Sequence, residues 1–138
     1  MRLAGIALGF FALALVLAPA ALGQGLAAPR LLTGYVATLV LASTLFVAAH
    51  YYKVLPFLVW YHRFGPLAGK RPVPRVAELY GSRTANTAAG LLSVGALGLV
   101  LSVIGGAGAL ARGAAVVFTA GAIMEVAQMY SISRRRPE

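Results

Sequence analysis

The chain has 138 residues, 60% of them hydrophobic and only 11% charged. Soluble domains average about a quarter charged residues, so this composition excludes a water-solvated globule and requires lipid as solvent. The net charge of +9 comes from 12 Lys and Arg against 3 Asp and Glu, but these cations sit between apolar runs, with no interleaved stacking aromatics, so they sort membrane faces and no nucleic-acid partner is expected.

Cysteine is absent, which excludes disulfides, iron–sulfur clusters and thiol catalysis. The length leaves room for a single integral membrane domain, residues 1–138. Four stretches reach the roughly 20 apolar residues that cross a bilayer as a helix. The first, residues 3–22, is free of charge. Arg2 before it and the sequence ALGQ at 21–24 also fit a cleavable signal peptide, but the run is long for one. Residues 23–30, GQGLAAPR, form a short turn. The second span is 31–55, uninterrupted until Lys53 and Pro56. Residues 63–83, RFGPLAGKRPVPRVAELYGSR, are the only long polar segment. Three prolines make it irregular, with room for a helical turn at 76–80. The third span is 84–104, GGAG at 105–108 turns the chain back, and the fourth span is 109–132. Backbone groups in lipid must pair within their own segment, and alanine and leucine dominate. The expected fold is an all-α membrane protein, a four-transmembrane-helix bundle.

Lys and Arg set the direction. Arg2, Lys53, Arg63, Lys70, Arg71, Arg75, Arg83, Arg134, Arg135 and Arg136 fall on one side of a four-span layout. Only Arg30 and Arg112 fall on the other. The bias predicts that both termini and the 63–83 loop are cytoplasmic in a multi-pass protein of the cell inner (plasma) membrane. Lipid gives no hydrophobic gain for helix association, so close backbone approach at small residues must supply it. The candidate interface positions are Gly5 and Gly9, then Gly98 and Ser102 with Gly106, then Gly113 and Gly121. Glu125 follows on the last stripe, with Gln128 beside it.

Glu125 is the one acidic residue within a span. A charge at the bilayer centre costs at least about 2.5–3.5 kcal/mol, so such a residue faces protein or water. Its functional readings are a proton relay or a ligand contact. Its structural reading is a hydrogen bond or ion pair with Asn86, His50, Lys53 or Arg83. His50 and His62 invite a haem or metal reading. One rigid helix cannot fold both onto one iron, and no His-x-x-His or Glu-x-x-His pair accompanies them, so no metal site is expected. Tyr51, Tyr52, Trp60 and Tyr61 cluster where the second helix should leave the membrane. Aromatic belts form there, with Lys53 and Arg63 snorkelling beside them and an interfacial segment expected at 56–61. His50, Tyr52 and Glu125 are the candidate contacts for a quinone or haem. No phosphate loop, nucleophile–base–acid set or inverted repeat is legible.

The stretch HxxKVxPFLVWxxRFG at 50–65, followed by GKRPVP, resembles a segment of membrane proteins related to haem-copper oxidases and nitric-oxide reductases. His50, Lys53, Pro56, Phe57, Leu58, Trp60, Gly65 and Pro72 carry it. A small, basic four-span chain with this motif is similar to the accessory subunit of some bacterial nitric-oxide reductases. It lacks the paired histidines, the further histidine set and the twelve spans of catalytic oxidase subunits. The resemblance therefore implies a non-catalytic, non-enzymatic subunit of a respiratory complex that supports assembly, stability or quinol access in denitrification. It would bind no cofactor alone. Haem would reside in its partners, a large haem-bearing catalytic subunit and a cytochrome c-type subunit, with quinol at the interface. A self-contained haem or quinone protein using His50, Tyr52 and Glu125, and a small homodimeric transporter, are the alternatives.

Overall fold

A computed structural model describes residues 2–136. Four helices dominate: α1 (Arg2–Gln24), α2 (Pro29–Val59), α3 (Ser82–Gly105) and α4 (Gly108–Ser133), with no strand among the described residues. Each is long and apolar enough to cross a membrane. Even α1, the shortest at 23 residues, extends about 35 Å, beyond the ~30 Å hydrocarbon core. The turns follow local chemistry. Gly25 has φ +50 in the first connection, and Gly106 has φ +67 at the end of α3. Glycine tolerates that left-handed geometry because it has no Cβ. At Gly106 it lets the Ala107 N–H reach back to Ser102 O at 3.0 Å, closing the helix end. The Arg30 guanidinium lies over this turn, 2.9 Å from where a Gly106 Cβ would stand.

Pro56 does not end the second helix as expected. Proline removes one N–H, but unwinding in hydrocarbon would strand several more backbone groups. The helix instead continues to Val59 and passes into a π-helical turn, Trp60–Phe64. The segment 56–61 is thus helical. The polar loop then folds back under the bundle. Trp60 Nε1 donates to Pro74 O at 2.7 Å, and the short 3₁₀ turn Val76–Leu79 buries Leu79 against Val59, Phe64 and Ile132. Arg63 Nη1 donates to Arg135 O. The central loop and the chain's C-terminal end therefore meet at one end of the bundle, with Arg30 and the α3–α4 turn at the other.

The main core joins Leu3, Ala7 and Phe10 of α1 to Ala42 and Leu45 of α2 and Leu92, Ala96 and Val100 of α3. Helix α4 packs chiefly along α3 as an antiparallel hairpin, at glycine contacts. A Cβ on Gly95 would stand 2.6 Å from the Phe118 backbone nitrogen, one on Gly121 2.8 Å from the Leu92 nitrogen, and one on Gly98 2.8 Å from Ala114 Cβ. Ser102 is buried, its hydroxyl donating to Leu99 O at 2.8 Å. Gly5, Gly9 and Gly113 lie on outer faces with nothing within 4 Å of where a Cβ would stand. The contacts at Gly95, and at Gly34 against Ile104, were not singled out from the sequence.

Candidate functional site

Helix α4 turns one stripe inward. Gly121, Glu125, Gln128 and Ile132 are its buried residues beyond Ala114, at spacings of four, three and four that share a helix face. Three of the four have their needs met. Gly121 touches the α3 backbone, and Ile132 fills the loop-end core. Gln128 ties three helices together. Its carbonyl accepts from Tyr52 Oη at 3.1 Å, and its amide donates at 2.9 Å to the oxygen of Gly81, the residue that precedes α3. Glu125 is the exception. Its side chain is only 9% exposed, yet Oε1 is buried without a hydrogen-bond partner among the described residues. None of Asn86, His50, Lys53 or Arg83 supplies one. A buried polar atom left unpaired costs about 1–3 kcal/mol, so this oxygen requires an explanation.

Glu125 faces a groove of about 670 Å³ between α2 and α4. Thr44, Val47, Tyr51 and Leu55 line the α2 wall, and Ala122 and Met129 flank Glu125 on α4. The groove opens on the outer side of the bundle, where Val47 and Val126 are exposed. Positions 44, 48, 51 and 55 follow helical spacing, so this wall could have been found from the sequence. What pairs it with Glu125 is the packing of α2 beside α4, two helices separated by α3 in the chain.

The expected trio of His50, Tyr52 and Glu125 does not share one cavity. Tyr52 turns toward α1 and α3, into a separate pocket with Leu3, Asn86 and Ala89. Its hydroxyl donates to Gln128, one turn along α4 from Glu125. His50 is on the outer face of α2, where Nδ1 lies 2.8 Å from Phe46 O and the ring sits 4.4 Å from that of Phe46. His62 is also exposed, edge-on to Tyr61. Among the described residues no three His, Asp or Glu side chains are grouped to hold a metal ion. Tyr51, read from the sequence as part of a belt, is the aromatic residue in the groove.

The outer face of α2 carries Phe46, His50, Val54, Phe57 and Tyr61, all exposed, with the Phe57 and Tyr61 rings stacked at 6.1 Å. This ridge runs about 22 Å along the helix, deeper than a belt at one interface. Four apolar helices, glycine-packed and flanked by a folded polar loop, define a multi-pass α-helical membrane protein. No protein-family model, curated protein or solved structure matches the chain.

Proposed function

We propose that the chain is a non-catalytic accessory subunit that docks, through the outer face of α2, onto a larger membrane partner. The observation that carries this reading is the α2 ridge. Phe57 and Leu58 of the 50–65 motif, and Tyr61 within it, are turned outward from the bundle. What sets this face apart from the other lipid-exposed faces is its run of rings at successive turns, which extends beyond one interfacial belt and offers ring contacts to a partner helix. The same motif is the part that resembles proteins related to haem-copper oxidases and nitric-oxide reductases. The proposed partner is accordingly the haem-bearing catalytic subunit of such a respiratory complex in a bacterial inner membrane. The charge bias supports cytoplasmic termini and a cytoplasmic 63–83 loop.

The test is co-isolation. A chain tagged after residue 136 and extracted in mild detergent is expected to bring down a large haem protein, seen as a Soret band and by mass spectrometry. Phe57→Ala with Tyr61→Ala should reduce that yield at least about tenfold, the effect of losing one aromatic hot spot of about 2 kcal/mol, while helix content stays constant. A colourless chain isolated alone would count decisively against the proposal. Reporter fusions at residues 68–70 and after residue 136 should both be active in the cytoplasm; opposite sides would overturn the orientation.

A further inference from the structure

The loop end of the bundle gathers most of the chain's cations, and three of them converge on one cavity. Arg71 comes from the polar loop, and Arg135 and Arg136 come from the chain end that follows α4. With Pro72, Val73 and Pro74 they line a hollow of about 320 Å³. Its inner wall is Phe64 and Leu79, buried members of the loop-end core, while the three arginines are exposed. Arg63 fixes the arrangement, because its Nη1 donates to Arg135 O and ties the chain end to the end of α2.

Like charges held together in this way repel, and the chain does not supply their counter-charge. Its sequence has three acids. Glu125 lies within a span. Glu78 Oε2 accepts from the Arg75 backbone N–H at 3.0 Å, inside its own turn, and does not line the cavity. Glu138 lies outside the described residues, and one carboxylate cannot balance three guanidinium groups. Charge therefore favours an anionic ligand, and guanidinium forks suit phosphate, which they grip through paired N–H donors. Depth indicates its source. Helix α4 has 26 residues and extends about 39 Å, past a hydrocarbon core of about 30 Å but within a bilayer of about 40–45 Å. The residues that follow it thus lie among the headgroups. Tyr130 is exposed at that end, with the Arg134 guanidinium 4.7 Å from its ring centroid, and both side chains are of the kind that anchors a helix at the interface. The phosphates at this level are those of lipids, and a basic pocket beside helix ends is how a headgroup is recognised. The volume sits at the low end of the roughly 300–1,000 Å³ of small-molecule sites, suited to a headgroup whose acyl chains stay in the bilayer.

We propose that this cavity seats the headgroup of an anionic phospholipid, its phosphate held among Arg135 and Arg136 of the chain end and Arg71 of the loop. Binding is a property of this chain alone and does not depend on the docking ridge of α2.

Trp60 is the chain's one tryptophan, and its Nε1 donates to Pro74 O in the cavity wall, so its emission reports occupancy. The untagged chain, stripped of lipid in dodecyl maltoside, is titrated with dioleoylphosphatidylglycerol. A saturable change at one lipid per chain is expected. Dioleoylphosphatidylcholine, whose choline cation cancels the phosphate charge, should bind at least about tenfold more weakly. Arg135→Ala with Arg136→Ala should weaken phosphatidylglycerol binding at least about tenfold through lost charge-assisted hydrogen bonds. The bond from Arg63 goes to the Arg135 backbone and survives this change. Lys53→Ala with Arg83→Ala removes the same charge from the same end, away from the cavity lining, and should stay within about threefold, because exposed charges at a distance are screened. Helix content should match wild type in both double variants. Equal weakening in the two would show a diffuse cationic surface and overturn the proposal. So would equal binding of the two lipids, a response that never saturates, or an equal response to inorganic phosphate, which would show a free-anion site only. Loss of co-isolation with lipid binding retained would sink the docking reading and leave this one standing.

Discussion

Gly95→Leu is expected to unfold the α3–α4 hairpin. The atoms nearest a Cβ at this position are Phe118 N at 2.6 Å and Phe118 Cα at 2.7 Å. They are backbone, so no rotamer change on α4 can make room, and the whole helix must move away. Moving it would also open the contacts at Gly121 and Gly98, which lie one turn away on either side of the same seam. Overpacking a core commonly costs about 1–3 kcal/mol. Here the loss should reach or exceed the upper end, because close backbone approach is the main source of helix association in lipid. The measurement is unfolding in mixed micelles with increasing dodecyl sulfate, followed by circular dichroism and Trp60 fluorescence. Gly9→Leu is the matched control, with the same chemistry on α1 and nothing within 4 Å, and it should unfold within about 0.5 kcal/mol of wild type. Equal stability of the two variants would show that α3 and α4 do not pack at Gly95.

That contrast also explains what the sequence could and could not disclose. The existence, number and approximate limits of the four helices follow from apolar run length, because the bilayer fixes that length and forbids unpaired backbone. The faces do not follow. GxxxG spacing marks Gly5 and Gly9 as readily as it marks a true seam, yet both lie on the outer side of α1. Gly95 belongs to no such pair and makes the closest backbone approach of the hairpin. In a soluble helix a hydrophobic stripe would identify the inner face. In a lipid-exposed helix both faces are apolar, so that signal is lost. Pro56 misleads for a related reason: the rule that proline ends helices is a rule for chains that can turn to water for hydrogen bonds. Of the candidate site, Glu125 was visible because a lone acid in a span is rare. Its setting was not. His50, next to Tyr51 in sequence, points along a different face by the ordinary 100° turn per residue. Which face meets α4 is decided by tertiary packing that no spacing encodes.

Glu125→Met is expected to stabilise the isolated chain. The carboxyl lies among apolar neighbours and its Oε1 lacks a partner, so the folded state bears the cost of an unmet hydrogen bond. Methionine has a similar length, brings no polar atom, and adapts to an irregular groove. Removing the unmet group should raise stability by about 1–3 kcal/mol, in the same dodecyl sulfate titration. Glu125→Gln should be close to neutral, since it exchanges one hydrogen-bonding group for another. The sign is the informative part. A carboxylate that held the bundle together would make Glu125→Met strongly destabilising, as breaking a buried pair costs about 3–5 kcal/mol. A gain in stability would mean that the acid is not kept for the fold of the isolated chain. The neighbouring Gln128 supplies the internal comparison. It accepts from Tyr52 and donates to Gly81, so Gln128→Met should be destabilising by about 1–3 kcal/mol, one turn from a residue whose identical replacement does the opposite. If both substitutions shifted stability the same way, the distinction between a residue that serves the fold and one that does not would fail at this site.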